Sequence, residues 1–313
     1  MRSIVRLLLV LALAGCGAPA GGITPSTGIA SVRSLAFESD TYPTDRPLLF
    51  VSDLNARNVV IYKVTNSRRP VATIANMSAP YGVAMNGSGQ LFVADLSKNR
   101  IDIFPKGKTT LGGTITDGIA NPWGIAIDRG GTLYVSNDPP PSQPSGLAWI
   151  SEYPAGHHSP SAKFSGAPLM LPAGLAVDGA GDLYIADRYA EQIFEIRKGT
   201  KKVRALNLQG LCGVDGVALD SHGNLYASNG SPGPSCTFGY GITVYPPGKT
   251  NPSEIISGVI DPTAVCVDAK DRLYVAEGYG YGDVLRFPAG GTSPDMAYTQ
   301  GINTPVGITV ARP

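Results

Sequence analysis

Five-residue runs in which large apolar and smaller or aromatic residues alternate, each closed by an acid or amide, punctuate the chain. They read LFVSD at 49–53, LFVAD at 91–95, LYVSN at 133–137, LYIAD at 183–187, LYASN at 225–229 and LYVAE at 273–277. Three of the five intervals are 42 residues and the other two are 50 and 48. Alternation with a period of two predicts strands. A repeat of about 40–50 residues built from short strands predicts the blades of a β-propeller.

Each repeat lays out as four strands. The innermost follows a Pro-x-Gly phrase: PYGVA at 80–84, PWGIA at 122–126, PAGLA at 172–176 and PVGIT at 305–309, with altered copies VDGVA at 214–218 and PTAVC at 262–266. Glycine in this phrase predicts close approach of neighbouring inner strands near the axis. A polar turn follows, as at 128–131 and 178–182, and then the repeated phrase forms the second strand. Alternating runs at 100–104, 192–196 and 242–245 supply third strands, and short edge strands are expected at 71–75 and 254–257. The first repeat begins at its second strand, whereas residues 305–310 form an inner strand with no repeat after them. Placing that strand in the first blade gives an all-β fold, a six-bladed β-propeller of four-stranded antiparallel blades without open sheet edges. Residues 34–37 are a rival for the missing strand, but their connection to Leu49 is several residues longer than its counterparts.

The pattern resembles the NHL repeat, in which Pro-x-Gly-[IV]-Ala-x-Asp precedes Gly-x-Leu-Tyr-Val-Ala-Asp and Asn-x-[RV]-[IV]. The resemblance spans most of 48–310, is good in four blades, and is carried best by DLSKNRI at 95–101. It implies six blades. The family holds binding scaffolds and a few enzymes, so the resemblance implies no particular reaction.

The beginning of the chain has a different character. Arg2 and Arg6 precede an apolar stretch at 7–14 that is too short for a permanent membrane helix. LAGC at 13–16 resembles the lipobox of bacterial lipoproteins, which implies removal of residues 1–15 and lipidation of Cys16; an ordinary secretory signal is the alternative. Gly17 after the cysteine implies, by the same resemblance, the outer membrane where the host has two. Several acyl chains, at roughly 0.8 kcal/mol per buried methylene, make a stable anchor. Residues 16–30 then read as a flexible tether and 31–313 as the propeller. The expected location is the bacterial cell envelope, outside the cytoplasm, with membrane contact through the lipid alone and the propeller a monomer.

Charged residues make up only 16 % of the chain and the net charge is +1, which argues against nucleic acid as a partner. Lys198, Lys201, Lys202 and Arg204 fall at an expected turn and read as a solvated cluster.

Candidate chemistry gathers at the end of the propeller where inner strands begin and second strands finish. Asp53, Asp95, Asn137, Asp187, Asn229 and Glu277 close the repeated phrases, and their recurrence points to a structural capping role. Tyr81, Trp123, Ala173, Asp215, Thr263 and Val306 are the middle residues of the Pro-x-Gly phrases. Longer connections at 138–148, 230–241 and 278–283 fall on this same end, bringing Tyr240, Tyr279 and Tyr281. Long loops on one face of a repeat fold usually form a recognition surface, although they also serve to shield the ring. The expected ligand-binding set is Tyr81, Trp123, Asp215, Tyr240, Glu277, Tyr279 and Tyr281, suited to a protein, peptide or glycan partner.

Asp215-Gly216 also resembles the lead-in of gluconolactonase-like propellers, where this aspartate holds a divalent cation; by that resemblance Asp215 is a candidate Ca²⁺ ligand. The neighbouring phrases carry Trp123-Gly124 and Ala173-Gly174, so the Glu and Asn of that family are missing. A metal-dependent lactonase or hydrolase is thus the alternative to a binding or scaffold module. His157, His158 and His222 fall in turns away from this end, and no set of catalytic residues is apparent, so no cofactor is otherwise expected. Cys212 and Cys236 fall on one face of the fifth repeat and are expected to form a disulfide, with two unlinked thiols as the alternative; Cys266, in an inner strand, is expected to be a buried free thiol.

Overall fold

A computed structural model describes residues 39–65, 67–138, 148–165, 169–230, 239–278 and 280–311. The expected signal, tether and Cys16, the rival strand at 34–37, Cys236, Tyr279 and most of the loops at 138–148 and 230–241 lie outside the described residues.

The described chain forms a six-bladed β-propeller. Blade 1 holds β1 (Leu48–Asp53), β2 (Asn58–Lys63) and β3 (Pro70–Ile74); blade 2 holds β4 (Pro80–Met85), β5 (Leu91–Asp95), β6 (Arg100–Phe104) and β7 (Gly113–Ile115). Blade 3 holds β8 (Pro122–Ile127), β9 (Leu133–Asn137), β10 (Trp149–Tyr153) and β11 (Ala162–Ser165). Blade 4 holds β12 (Pro172–Val177), β13 (Leu183–Asp187), β14 (Gln192–Ile196) and β15 (Val203–Ala205). Blade 5 holds β16 (Val214–Leu219), β17 (Leu225–Asn229), β18 (Gly241–Tyr245) and β19 (Glu254–Ile256). Blade 6 holds β20 (Pro262–Val267), β21 (Leu273–Glu277), β22 (Asp283–Phe287) and β23 (Met296–Tyr298).

The ring closes through the C-terminal strand β24 (Pro305–Ala311), which lies innermost in blade 1 and pairs antiparallel with β1 from Leu48↔Ala311 to Asp53↔Pro305. This pairing completes blade 1 with a strand from the far end of the chain and so ties the last blade to the first, while each blade remains a separate four-stranded sheet.

The repeated phrase explains the packing. Its alternate positions face opposite sides of a blade, so each second strand serves two interfaces. Leu91 and Val93 pack between blades 1 and 2, whereas Ala94 packs between blades 2 and 3. Leu273 and Val275 pack against blade 5, and Tyr274 and Ala276 against blade 1. Six apolar clusters result, one per interface. Cys266 is a free thiol beside the cluster between blades 6 and 1. The residue as a whole is half-buried, and desolvation pushes its thiol pKa up.

The Pro-x-Gly phrase is a bulge. In β4 the pairing passes from Pro80↔Asp95 directly to Val83↔Val93, so Tyr81 and Gly82 together face one residue of β5. The same shift recurs in β8, β12 and β16. The glycine is required by a close approach: a Cβ on Gly124 would lie 1.9 Å from the carbonyl oxygen of Ala173 in the next blade.

Candidate functional site

The six phrase-closing residues are buried and serve the fold. Asp95 accepts from the backbone N–H groups of Ser78 and Ala79, each at 3.1 Å, in the connection that leads into β4. Asp187 accepts from Met170 at 2.7 Å, Leu171 at 2.9 Å and Ala190 at 3.0 Å. Asn137 and Asn229 do the same to Ala120 and Cys212. Each side chain thus holds the connection before its blade, and Asp187 reaches its own turn as well. Glu277 belongs to this set, accepting from Ile260 N–H at 2.5 Å. Burial and the neighbouring Asp283 both raise its pKa.

The bulges turn their middle residues toward the axis, where a cavity of about 80 Å³ opens. Tyr81 and Trp123 form one wall, with ring centroids 4.7 Å apart and planes inclined at 54°. Asp215 and Thr263 contribute the opposite wall, joined by Arg188 from the connection after β13. Arg188 Nη1 lies 3.3 Å from Asp215 Oδ1. Asp215 is only 7 % exposed, and its pKa is raised to about 7 because desolvation outweighs the attraction of Arg188; Asp261 adds to the rise. Two buried polar atoms of this wall pair have no hydrogen-bond partner among the described residues: Asp215 Oδ2 and Trp123 Nε1. Gly230 borders that carboxylate closely, since a Cβ there would lie 2.9 Å from Asp215 Oδ2.

The surrounding rim carries exposed apolar side chains. Six large hydrophobic side chains are exposed among the described residues, and five of them, Met170, Tyr189, Tyr240, Ile260 and Tyr281, lie on connections at this end of blades 4, 5 and 6. The sixth, Leu111, lies in the connection between β6 and β7.

The structure therefore brings Tyr81, Trp123 and Asp215 together around the axis and places Tyr240 and Tyr281 on the rim. Glu277 lies beneath the rim. Arg188 was not anticipated from the sequence; the available signal is that it follows the phrase-closing acid in blade 4, where the corresponding residues are Leu54, Leu96, Asp138, Gly230 and Gly278.

Calcium takes six to eight oxygen ligands. No group of three His, Cys, Asp or Glu gathers among the described residues, and the charge of Asp215 is already met by Arg188. These residues do not fit a calcium site.

A larger cavity of about 1320 Å³ opens at the other end of the propeller, lined in part by Asp128, Asp178, Asp220 and Asp268. These four carboxylates bond within their own turns, as Asp178 Oδ1 does in accepting from the N–H groups of Ala180, Gly181 and Asp182 at 2.8–2.9 Å. The axial cavity, with its uncommitted polar atoms, is the better candidate site.

No protein-family model matches the chain, and no curated protein matches it either. Solved structures do resemble it in fold. A chain from the crystal structure of a nidogen/laminin complex has a TM-score of 0.65 at 16 % identity, covering 85 % of this chain and 98 % of that one. A protein of unknown function from Bacteroides caccae has a TM-score of 0.67 at 10 % identity, covering 86 % of this chain and 100 % of that one. At these identities the likeness is one of fold: the chain is a six-bladed β-propeller similar to both.

Proposed function

We propose that this chain is a lipid-anchored, extracytoplasmic propeller that binds a protein, peptide or glycan partner through the rim around its axial cavity. The observation that carries this reading is the gathering of five exposed apolar side chains at one end, around an aromatic and charged axial wall. Exposed apolar side chains concentrated at one end of a fold are a common mark of an interaction site, and tyrosine contributes large contact area at low entropic cost. The nidogen/laminin structure, in which a similar fold occurs within a protein complex, is in keeping with a partner-binding role. Lipidation of Cys16 rests on the lipobox resemblance and would hold the propeller at a membrane surface of the cell envelope.

The test is to probe peptide and glycan arrays with the full chain and with the Tyr240→Ser/Tyr281→Ser variant, with Leu111→Ser as the control at the other end. Binding lost in the double variant and kept in the control supports the reading. Binding equal in all three, or none at all, refutes it. Mass spectrometry of the N-terminal peptide, compared with a Cys16→Ser variant, tests the anchor.

The lactonase reading has Asp215 in its favour, but the arrangement offers that residue an arginine instead of further oxygen ligands.

A further inference from the structure

The axial cavity carries a more specific message in its hydrogen-bond inventory. One buried acceptor, Asp215 Oδ2, and one buried donor, Trp123 Nε1–H, are unpartnered among the described residues, and both residues line the same cavity. Leaving such buried atoms unpaired is costly, so a ligand that satisfies both is favoured over one that satisfies either alone. An ammonium group brings only donors; it would leave the indole unsatisfied and meet the charge of Arg188. A carboxylate brings only acceptors and would meet Asp215 Oδ2. Hydroxyl groups both donate and accept. With Asp215 ionised, the pair at 3.3 Å leaves the wall close to neutral overall, which suits an uncharged ligand.

We infer that the axial cavity binds a neutral vicinal diol presented on a ring, that is, one edge of a pyranose sugar. One hydroxyl donates to Asp215 Oδ2, another accepts from Trp123 Nε1–H, and the C–H face of the ring lies along the Tyr81 and Trp123 side chains. Arg188 is a positioning residue that holds the Asp215 carboxylate through its other oxygen. The cavity, of about 80 Å³, takes the edge of the ring that carries the two hydroxyls. The rest of the sugar lies at the mouth, where Tyr240 and Tyr281 stand exposed on the same end. This inference rests on the reading of that end as a binding surface and narrows its ligand to a sugar.

Calorimetric titration of the full chain with the methyl glycosides of glucose, galactose and mannose tests it, with methylammonium and acetate as charged comparators. At least one glycoside binds, and both ions bind more weakly or not at all. Asp215→Ala and Trp123→Phe each weaken glycoside binding about ten-fold or more, the scale of one lost hydrogen bond in a buried site. Asp215→Asn, close in shape to the native residue, serves as the second variant should Asp215→Ala unfold, and it too weakens binding. Oligosaccharides ending in the same sugar distinguish a free monosaccharide from a glycan terminus: tighter binding that depends on Tyr240 and Tyr281 identifies the glycan, and equal binding identifies the single sugar. Absence of binding by every glycoside, preference for either ion, or binding unchanged in the Asp215 variants overturns the inference. If the glycosides fail while peptide binding remains sensitive to Tyr240 and Tyr281, the sugar assignment falls and the broader binding role stands.

Discussion

Arg188 and Asp215 join adjacent blades within one wall of the axial cavity, with Nη1 of one 3.3 Å from Oδ1 of the other. Burial nevertheless raises the Asp215 pKa to about 7 from an ordinary value of 3.8. A carboxyl group whose pKa is higher in the folded protein binds more protons folded than unfolded between those two values. Its contribution to stability is therefore fully present below about pH 4 and declines as pH rises toward 7. Asp215→Asn removes that titration, so the melting temperature of the variant relative to wild type should rise from pH 4 to 7 and level off above. The shift corresponds to about 4 kcal/mol at most. A difference that is flat across this range would show that the carboxyl group titrates normally.

Removing the arginine should act with the opposite requirement. In Arg188→Ala the carboxylate loses its counter-charge, which matters only when it is ionised. Destabilisation of about 1–3 kcal/mol is expected at pH 8, with much less at pH 5. Calcium and chelator should leave the melting temperature of the wild type unchanged, because a ligand acts on stability only by binding the folded state. Stabilisation by calcium that vanishes in Asp215→Ala would instead establish a metal on the axis and revive the lactonase reading.

Crowding at the axis makes Gly124 the most sensitive position of its kind. A methyl group there would sit 1.9 Å from Ala173 O, a backbone atom that moves only if the inner strand moves. Gly124→Ala should cost about 3 kcal/mol or more, read as a lower midpoint in urea. Ala264 fills the corresponding place in blade 6, so Ala264→Gly should cost only about 1 kcal/mol, from chain entropy and a lost methyl group.

The buried acids give a third comparison. Asp187 accepts three backbone N–H groups from two connections. Asp187→Ala strands all three and should destabilise the protein by about 3 kcal/mol or more. Asp187→Asn should retain a substantial part of that, since Asn137 and Asn229 fill the same place in their blades. Equal losses in the two variants would mean that charge, and not hydrogen bonding, is what the site requires.

Much of this was legible in the chain because the repeat makes every blade report on the others. Alternation in LYIAD assigns Leu183 and Ile185 to one interface and Ala186 to the next without any knowledge of the tertiary structure. The unpaired phrase at 305–309 likewise announces ring closure. Arg188 escaped notice because nothing periodic marks which side chain after a second strand reaches the axis; that depends on how blade 4 sits against blade 5. Local pattern predicts that the phrase-closing residues cap their own turns, yet Asp95, Asn137 and Asn229 accept from a connection 16 or 17 residues earlier, which local pattern does not reveal.

The cysteines allow the proposed disulfide and the proposed anchor to be tested in one measurement. Cys266 is a free thiol with its pKa pushed up by desolvation, so it should react slowly in the folded protein and readily in denaturant. Cys212 is buried just before β16, and its proposed link to Cys236 would contribute about 3 kcal/mol by restricting the unfolded chain. If Cys16 is lipidated through sulfur and the disulfide is present, denatured unreduced protein purified from the envelope should titrate one thiol, rising to three after reduction. A count of three before reduction excludes the disulfide. A count of two before reduction and four after it would keep the disulfide and exclude the lipid on Cys16.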